Sequence, residues 1–253
     1  MNQLSKFPHL NWYVSNLKTI PNGTYHWGAS PLEQKVGVVV SVAPFRLGAT
    51  PVTWGMWKEY CQHYSVPGSS IKLPNDPSGE YRDDHPVVNV SWDDIMSPGG
   101  FCEWASSVAG FNLSVPTDQQ WEYAARGGRD GLDYPWGPLY DRTLLWNPKE
   151  SGDVAVTAAV DRFNHIYRNE YGLTDMIGNV AEWCFNDRGL SLGFRGGRGC
   201  ALFDNPERSP LTNFLCSQWF VIVPDFKSDM FGFRLSAGIQ ETPSLWSRIF
   251  GGS

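Results

Sequence analysis

Twelve tryptophans interleaved with 26 glycines in 253 residues set the strongest constraint on what this chain can become. A Trp ring buries a large apolar area and needs neighbours on most sides, whereas Gly lets the backbone turn tightly or pass close to another group. Together they predict aromatic side chains wedged between irregular loops and held by packing. A hydrophobic share of 42% is ample for a core, so a disordered chain is excluded.

Charge narrows the partners. A net charge of -6, with no run of Lys or Arg, argues against nucleic acid and anionic membrane, since both reward clustered positive charge. No apolar stretch approaches the ~20 residues that cross a bilayer, and Met1-Asn2-Gln3-Leu4-Ser5-Lys6 lacks a hydrophobic signal core. The expectation is a soluble chain without membrane insertion, either cytoplasmic or displayed at a surface through another component. Cys61, Cys102, Cys184, Cys200 and Cys216 are odd in number and lack CxxC spacing, which predicts reduced, partly buried thiols.

Along the chain, residues 1–16 read as a poorly patterned leader, 17–240 as one domain and 241–253 as a C-terminal tail. Residues 19–28 predict a strand, a turn and a strand, and the β-branched run 36–42 a further strand. Met56, Trp57, Tyr60, Cys61 and Tyr64 share a helical face over 53–64, and Phe101, Trp104, Ala105 and Val108 do so over 100–109, with a cap expected near Ser97. Thr117 and Gln120 form a capping-box pattern before a third helix that Gly127-Gly128 stops. Short strands are expected at 178–184, 193–197 and 231–236, between long turn-rich loops. The fold class is α+β.

Several segments then carry a family resemblance in order: His85-Pro86-Val87-Val88-Asn89-Val90, Trp121-Glu122-Tyr123-Ala124-Ala125-Arg126-Gly127-Gly128, Gly178-Asn179-Val180-Ala181-Glu182-Trp183, Arg195-Gly196-Gly197 and Gly232-Phe233-Arg234. From about residue 19 to 236 the chain resembles the formylglycine-generating-enzyme family. The resemblance implies a C-type-lectin-like fold of the formylglycine-generating-enzyme type, with little regular secondary structure. Within it, Arg126 and Arg234 are expected as buried ion-pair formers, because guanidinium deprotonates too reluctantly to act as a base. His85 is expected as a core hydrogen-bonder.

Asp175 and Glu182 bracket Gly178 and Val180 in a turn-then-strand segment, and hard oxygen donors of this kind suit calcium. Calcium-binding family members use the matching positions, so the resemblance implies a structural calcium ion at Asp175, Gly178, Val180 and Glu182. The other reading is that Asp175 caps a turn and Glu182 pairs with an Arg such as Arg195. The family's oxidase chemistry uses two copper-binding cysteines; the matching positions here are Ala201 and Pro206, so no copper and no catalytic residue are expected.

Between the retained flanks Arg195-Gly196-Gly197 and Gly232-Phe233-Arg234 the chain departs from the enzyme pattern. There it resembles the variable proteins of diversity-generating retroelements, in which scattered positions of a fixed scaffold are replaced. That resemblance implies a ligand-binding region over 198–230, with Arg198, Phe203, Asp204, Asn205, Trp219, Phe220, Val221, Phe226, Lys227, Asp229 and Met230 as contacts. Rigid aromatics anchor such surfaces and small polar groups adapt. In a strand, Trp219, Val221 and Val223 would share one face and Phe220 and Ile222 the other. The favoured function is a non-enzymatic protein displaying a diversified surface to a protein or other macromolecular ligand, of receptor or adhesin type. The alternatives are a copper oxidase using an atypical Cys200 and Cys216 pair, and a scaffold subunit.

Overall fold

A computed structural model describes residues 3–64, 71–146, 157–160, 167–185, 193–200 and 211–239. The first helix, α1 (Pro8–Ser15), begins with Pro at its first turn, where the missing N–H costs nothing. Its next two N–H groups donate to the carboxylate of Glu59, His9 N at 2.8 Å and Leu10 N at 3.0 Å. Leu10 and Tyr13 are buried, and Tyr13 donates its hydroxyl to the Thr50 carbonyl while accepting from Leu235 N. The segment read as a leader is therefore part of the packed body. An eight-residue helix with two buried positions is too short for its periodicity to show.

Two strands, β1 (Lys18–Ile20) and β2 (Gly23–Trp27), follow, then β3 (Val38–Val42) and β4 (Phe45–Leu47). Ile20-Pro21-Asn22-Gly23 makes the turn between the first two, and Gly23 is needed there, because a Cβ would lie 2.2 Å from the Tyr123 hydroxyl. Helix α2 (Trp54–His63) buries Trp54, Met56, Trp57, Tyr60 and Cys61, the expected face. Helix α3 (Trp92–Met96) was not foreseen. It starts from a capping box in which Ser91 and Asp94 satisfy each other's backbone N–H, and Ser97 closes it instead of opening the next helix. Gly100 is the N-cap of α4 (Phe101–Ala109), and Gly110 ends it in the left-handed conformation, φ 78°. Thr117 and Gln120 form both bonds of the expected box at the start of α5 (Asp118–Ala125).

The remaining strands are β5 (Ala181–Cys184), β6 (Arg195–Arg198), β7 (Trp219–Ile222), β8 (Phe231–Gly232) and β9 (Ser236–Gly238). Among the described residues the strands form three small sheets: β1-β4-β9, the ribbon β2-β3, and β7-β6-β5-β8, in which only the β5–β8 pair is parallel. One core lies among α1, α2, α4 and one face of the four-stranded sheet; there Trp57 stacks on Phe101 at 5.2 Å and meets Phe233 edge-on. The second core fills the space between α5, the ribbon and the turns leading to β5.

Candidate functional site

The four-stranded sheet is where the expected metal and ligand residues converge, and its register decides which way each points. Glu182 pairs with Arg198, Gly197 with Phe220, Gly196 with Val221 and Arg198 with Trp219. Directly opposed residues share a face, so Glu182, Cys184, Gly196, Arg198, Trp219 and Val221 lie on one side, and Trp183, Gly197, Phe220 and Ile222 on the other.

On the first side the charges are buried in networks. Arg198 is fully buried; it bonds Asp118 through Nε, Glu122 through Nη2 at 2.8 Å, and the Cys216 and Gln218 carbonyls through Nη1. The second Glu122 oxygen accepts Arg126 Nη2 at 2.6 Å, so one carboxylate holds two guanidinium groups. Burial alone would lower the Arg198 pKa; Glu122 and Asp118 overcome it and keep the group cationic. Arg198, expected as a ligand contact, is thus an internal tie between sheet and helix and offers nothing to solvent. Arg126 and Arg234 are the buried ion-pair formers expected.

Glu182 belongs to a neighbouring network. Arg234 grips it with two bonds of 2.7 and 2.6 Å, and Trp121 Nε1 adds a third at 2.8 Å. The same guanidinium bonds the carbonyls of Gly48, Thr174 and Asp175. These oxygens surround a cation that is already present, Arg234. The Gly178 carbonyl accepts the Val180 N–H at 2.8 Å, and an Asp175 oxygen accepts Asn179 Nδ2 at 3.4 Å. A calcium ion at Asp175, Gly178, Val180 and Glu182 would have to share the Glu182 carboxylate with Arg234 and the Gly178 carbonyl with the Val180 N–H. Glu182 does make the buried salt bridge, with Arg234 in place of Arg195. Arg195 instead lies 5.1 Å over the Trp92 ring.

The ligand region divides by register. Phe220 and Ile222 turn toward the first core, where Phe220 meets the Phe231 ring at 6.2 Å. Gly197 makes room for them, because a Cβ there would come within 2.9 Å of both Phe231 and Ile222. Val221 and Val223 stay 45% and 44% exposed. Trp219 and Met230 are half-buried, and Phe226 is exposed while touching Phe231 edge-on. Lys227 reaches Asp94 at 2.7 Å; burial would raise the Asp94 pKa, but Lys227 and Ser91 hold it below the usual carboxylate range. Asp229 accepts a weak bond from Ser228 at 3.4 Å. Phe203, Asp204 and Asn205, with Ala201 and Pro206, lie outside the described residues.

Two exposed aromatics at this sheet were missed, Phe194 and Phe185. Phe194 continues the β6 alternation onto the Val221 face, and Phe185 follows β5 and meets the Trp92 ring at 5.3 Å. Phe194 lies within the strand expected at 193–197 and Phe185 one residue past that expected at 178–184, so following the period-two pattern through and just beyond those strands would have found both. The rim of the sheet thus carries exposed apolar residues on both faces, Phe194, Val221 and Val223 on the Arg198 side and Phe185 and Phe226 on the side of Trp92 and Phe231.

Cys200 and Cys216 are both buried in the second core and neither is in a disulfide. Burial pushes the Cys216 thiol up to about 12. His85 is the hydrogen-bonder expected, its ring 3.1 Å from Thr157 Oγ1, with its pKa lowered by burial. No helix among the described residues is long and apolar enough to cross a membrane.

Comparison with known proteins agrees with this geometry. Residues 10–237 match the Sulfatase-modifying factor enzyme 1-like domain. Inactive C-alpha-formylglycine-generating enzyme 2 of Bos taurus is 33% identical over 204 residues, 76% of this chain and 60% of that protein. Formylglycine-generating enzyme of Thermomonospora curvata is 34% identical over 146 residues, 53% of this chain and 45% of its own length. The chain spans 60% or less of either relative. Among solved structures, Treponema denticola variable protein 1 superposes with a TM-score of 0.67 at 20% identity, covering 88% of this chain and 94% of that one. PvdO from Pseudomonas aeruginosa gives 0.68 at the same identity and coverage. The likeness fixes the fold as C-type-lectin-like, of the formylglycine-generating-enzyme type.

Proposed function

Because the chain belongs to the Sulfatase-modifying factor enzyme 1-like domain family, we propose that it is a non-enzymatic member displaying a binding surface for a macromolecular ligand, most simply a protein. The observation that carries this reading is the set of exposed apolar residues at the rim of the four-stranded sheet: Phe194, Val221 and Val223 on one face and Phe185 and Phe226 on the other are each more than a third exposed. Exposed apolar clusters beside an ordered scaffold mark interaction sites. The interior beneath them is fixed by buried ion pairs and close glycine contacts, so surface residues can change while the backbone holds.

Two relatives support the reading by name, one called inactive and one called a variable protein. An oxidase using Cys200 and Cys216 has the named enzymes in its favour but would need both thiols, which are buried in the second core, to reach oxygen and substrate.

A diversified surface makes a sharp demand on the gene. Copies from related isolates should differ at codons for Val221, Val223 and Phe226 and keep those for Gly197, Arg198 and Phe231, beside an adenine-rich template repeat and a reverse transcriptase. Substitutions spread evenly over buried and exposed codons, with no repeat nearby, would remove the diversification. Copper-dependent oxygen uptake with a cysteine-containing peptide would restore the enzyme.

A further inference from the structure

The ribbon β2-β3 carries a second apolar surface, away from the four-stranded sheet. Val36, Val38 and Val39 are 80%, 62% and 61% exposed, and no charged residue occurs from Val36 to Pro44. The backbone shows what this strand can do. His26 on β2 is paired with Val39, yet its N–H donates to Asp130 at 2.9 Å and its carbonyl accepts Ala29 N at 3.2 Å. Both groups therefore point away from β3, which makes His26 and Val39 a pair that exchanges no backbone hydrogen bonds.

By the alternation of an antiparallel ladder, Thr24 and Ser41 are the next such pair, and their hydroxyls lie 3.2 Å apart as close opposed side chains should. The N–H and C=O of Val39 and Ser41 thus face outward from β3. The outer edge of β2 is closed by side chains, with Asp130 on His26 N and Glu122 on Gly28 N. Among the described residues the outer edge of β3 is open, with two donors and two acceptors on a strand of valines. Natural proteins ordinarily blunt such an edge with charge or Pro.

We propose that β3 pairs with β3 of a second copy of this chain. Placing Val40 on a two-fold axis sets Val39 opposite Ser41 of the second copy and Ser41 opposite its Val39. All four outward N–H groups across the two copies then find carbonyls. The same register sets Val38 against Val42 and Val40 against Val40, so every side chain along one face of the junction is valine. An isologous contact needs a self-complementary patch, and a neutral one lets two chains of net charge -6 approach without opposing charges at the seam. A two-stranded ribbon is marginal by itself, and this pairing makes it four-stranded.

The test uses the full chain in sedimentation velocity over a wide concentration range. A monomer–dimer equilibrium is expected. Val39→Pro removes an outward N–H while leaving the β2–β3 bonds intact, and Ser41→Lys puts like charges near the axis; each should weaken the dimer at least ~tenfold with the melting temperature little changed. Val40→Cys should form a covalent dimer under mild oxidation, since opposed residues that exchange no backbone bonds have Cα atoms about 4.5 Å apart. A wild-type chain that stays monomeric throughout, or a dimer that survives both edge variants, overturns the proposal.

Discussion

Arg198 on β6 and Glu122 on α5 meet at 2.8 Å with neither side chain exposed, while Arg126 holds the other oxygen of the same Glu122. Sheet and helix are joined by charges that water cannot screen. Removing one partner leaves the others buried and uncompensated, which costs ~3–5 kcal/mol. Arg198→Ala and Glu122→Ala are each expected to lose about that much in urea unfolding. A loss of ligand binding by Arg198→Ala at full stability would instead make it a surface contact.

At the rim, Val221→Ala, Val223→Ala and Phe226→Ala are expected to change unfolding free energy by less than about 1 kcal/mol, as exposed positions do. Phe220→Ala should cost ~2–3 kcal/mol, below the ~3–5 of a fully buried ring, because it packs on Phe231 while keeping some exposure. Thermal and urea melts of the four variants check this without knowledge of the ligand. Equal, large losses in all four would make the rim core.

Alkali is expected to destabilise the chain. Burial raises the thiols of Cys61 and Cys216 from an ordinary 9.0 to about 11 and about 12. The folded state holds these protons more tightly than the unfolded one, so their contribution is complete below pH 9.0 and is lost as pH rises toward 11 and 12. Melting temperatures measured across that window should fall. All five cysteines are free and buried, so a thiol reagent at neutral pH should react with none until denaturant is added. Rapid labelling of the native chain would contradict the burial.

Chelation separates Arg234 from calcium as the cation that Glu182 serves. With Arg234 in place, EDTA is expected to leave the melting temperature unchanged, and Glu182→Gln to lower stability by ~3–5 kcal/mol whether or not calcium is added. A calcium-dependent rise in melting temperature that Glu182→Gln abolishes would place the ion at this turn after all.

What the sequence revealed was what short-range chemistry decides. The capping box of Thr117 and Gln120, the apolar face of α2 and the alternation of Trp219 to Val223 each depend on residues within one or two turns. The cap of α1 did not show, because the carboxylate that supplies it, Glu59, lies 49 and 50 residues from the N–H groups it accepts. That Arg234 and not Arg195 is the arginine that pairs with Glu182 did not show for a related reason. That choice follows from the parallel pairing of β5 with β8, which brings Arg234 beneath the sheet, and parallel registers leave no local mark. Arg198 was counted with the ligand contacts because it begins the altered segment, and only the pairing with Glu182 shows that it points inward.

The placement of β9 governs when this protein can fold. Phe45 pairs with Gly238, and Arg234 donates to the Gly48 carbonyl at 3.0 Å, so early strands wait for residues near the end of the domain. Until those residues leave the ribosome, β4 is paired with β1 alone and Glu182 lacks the cation that makes its burial tolerable. Local helices form quickly, but contacts this distant along the chain must first close a loop, which slows folding. Synthesis that stops just short of Ser236 leaves the sheet of β1 and β4 without its third strand, β9.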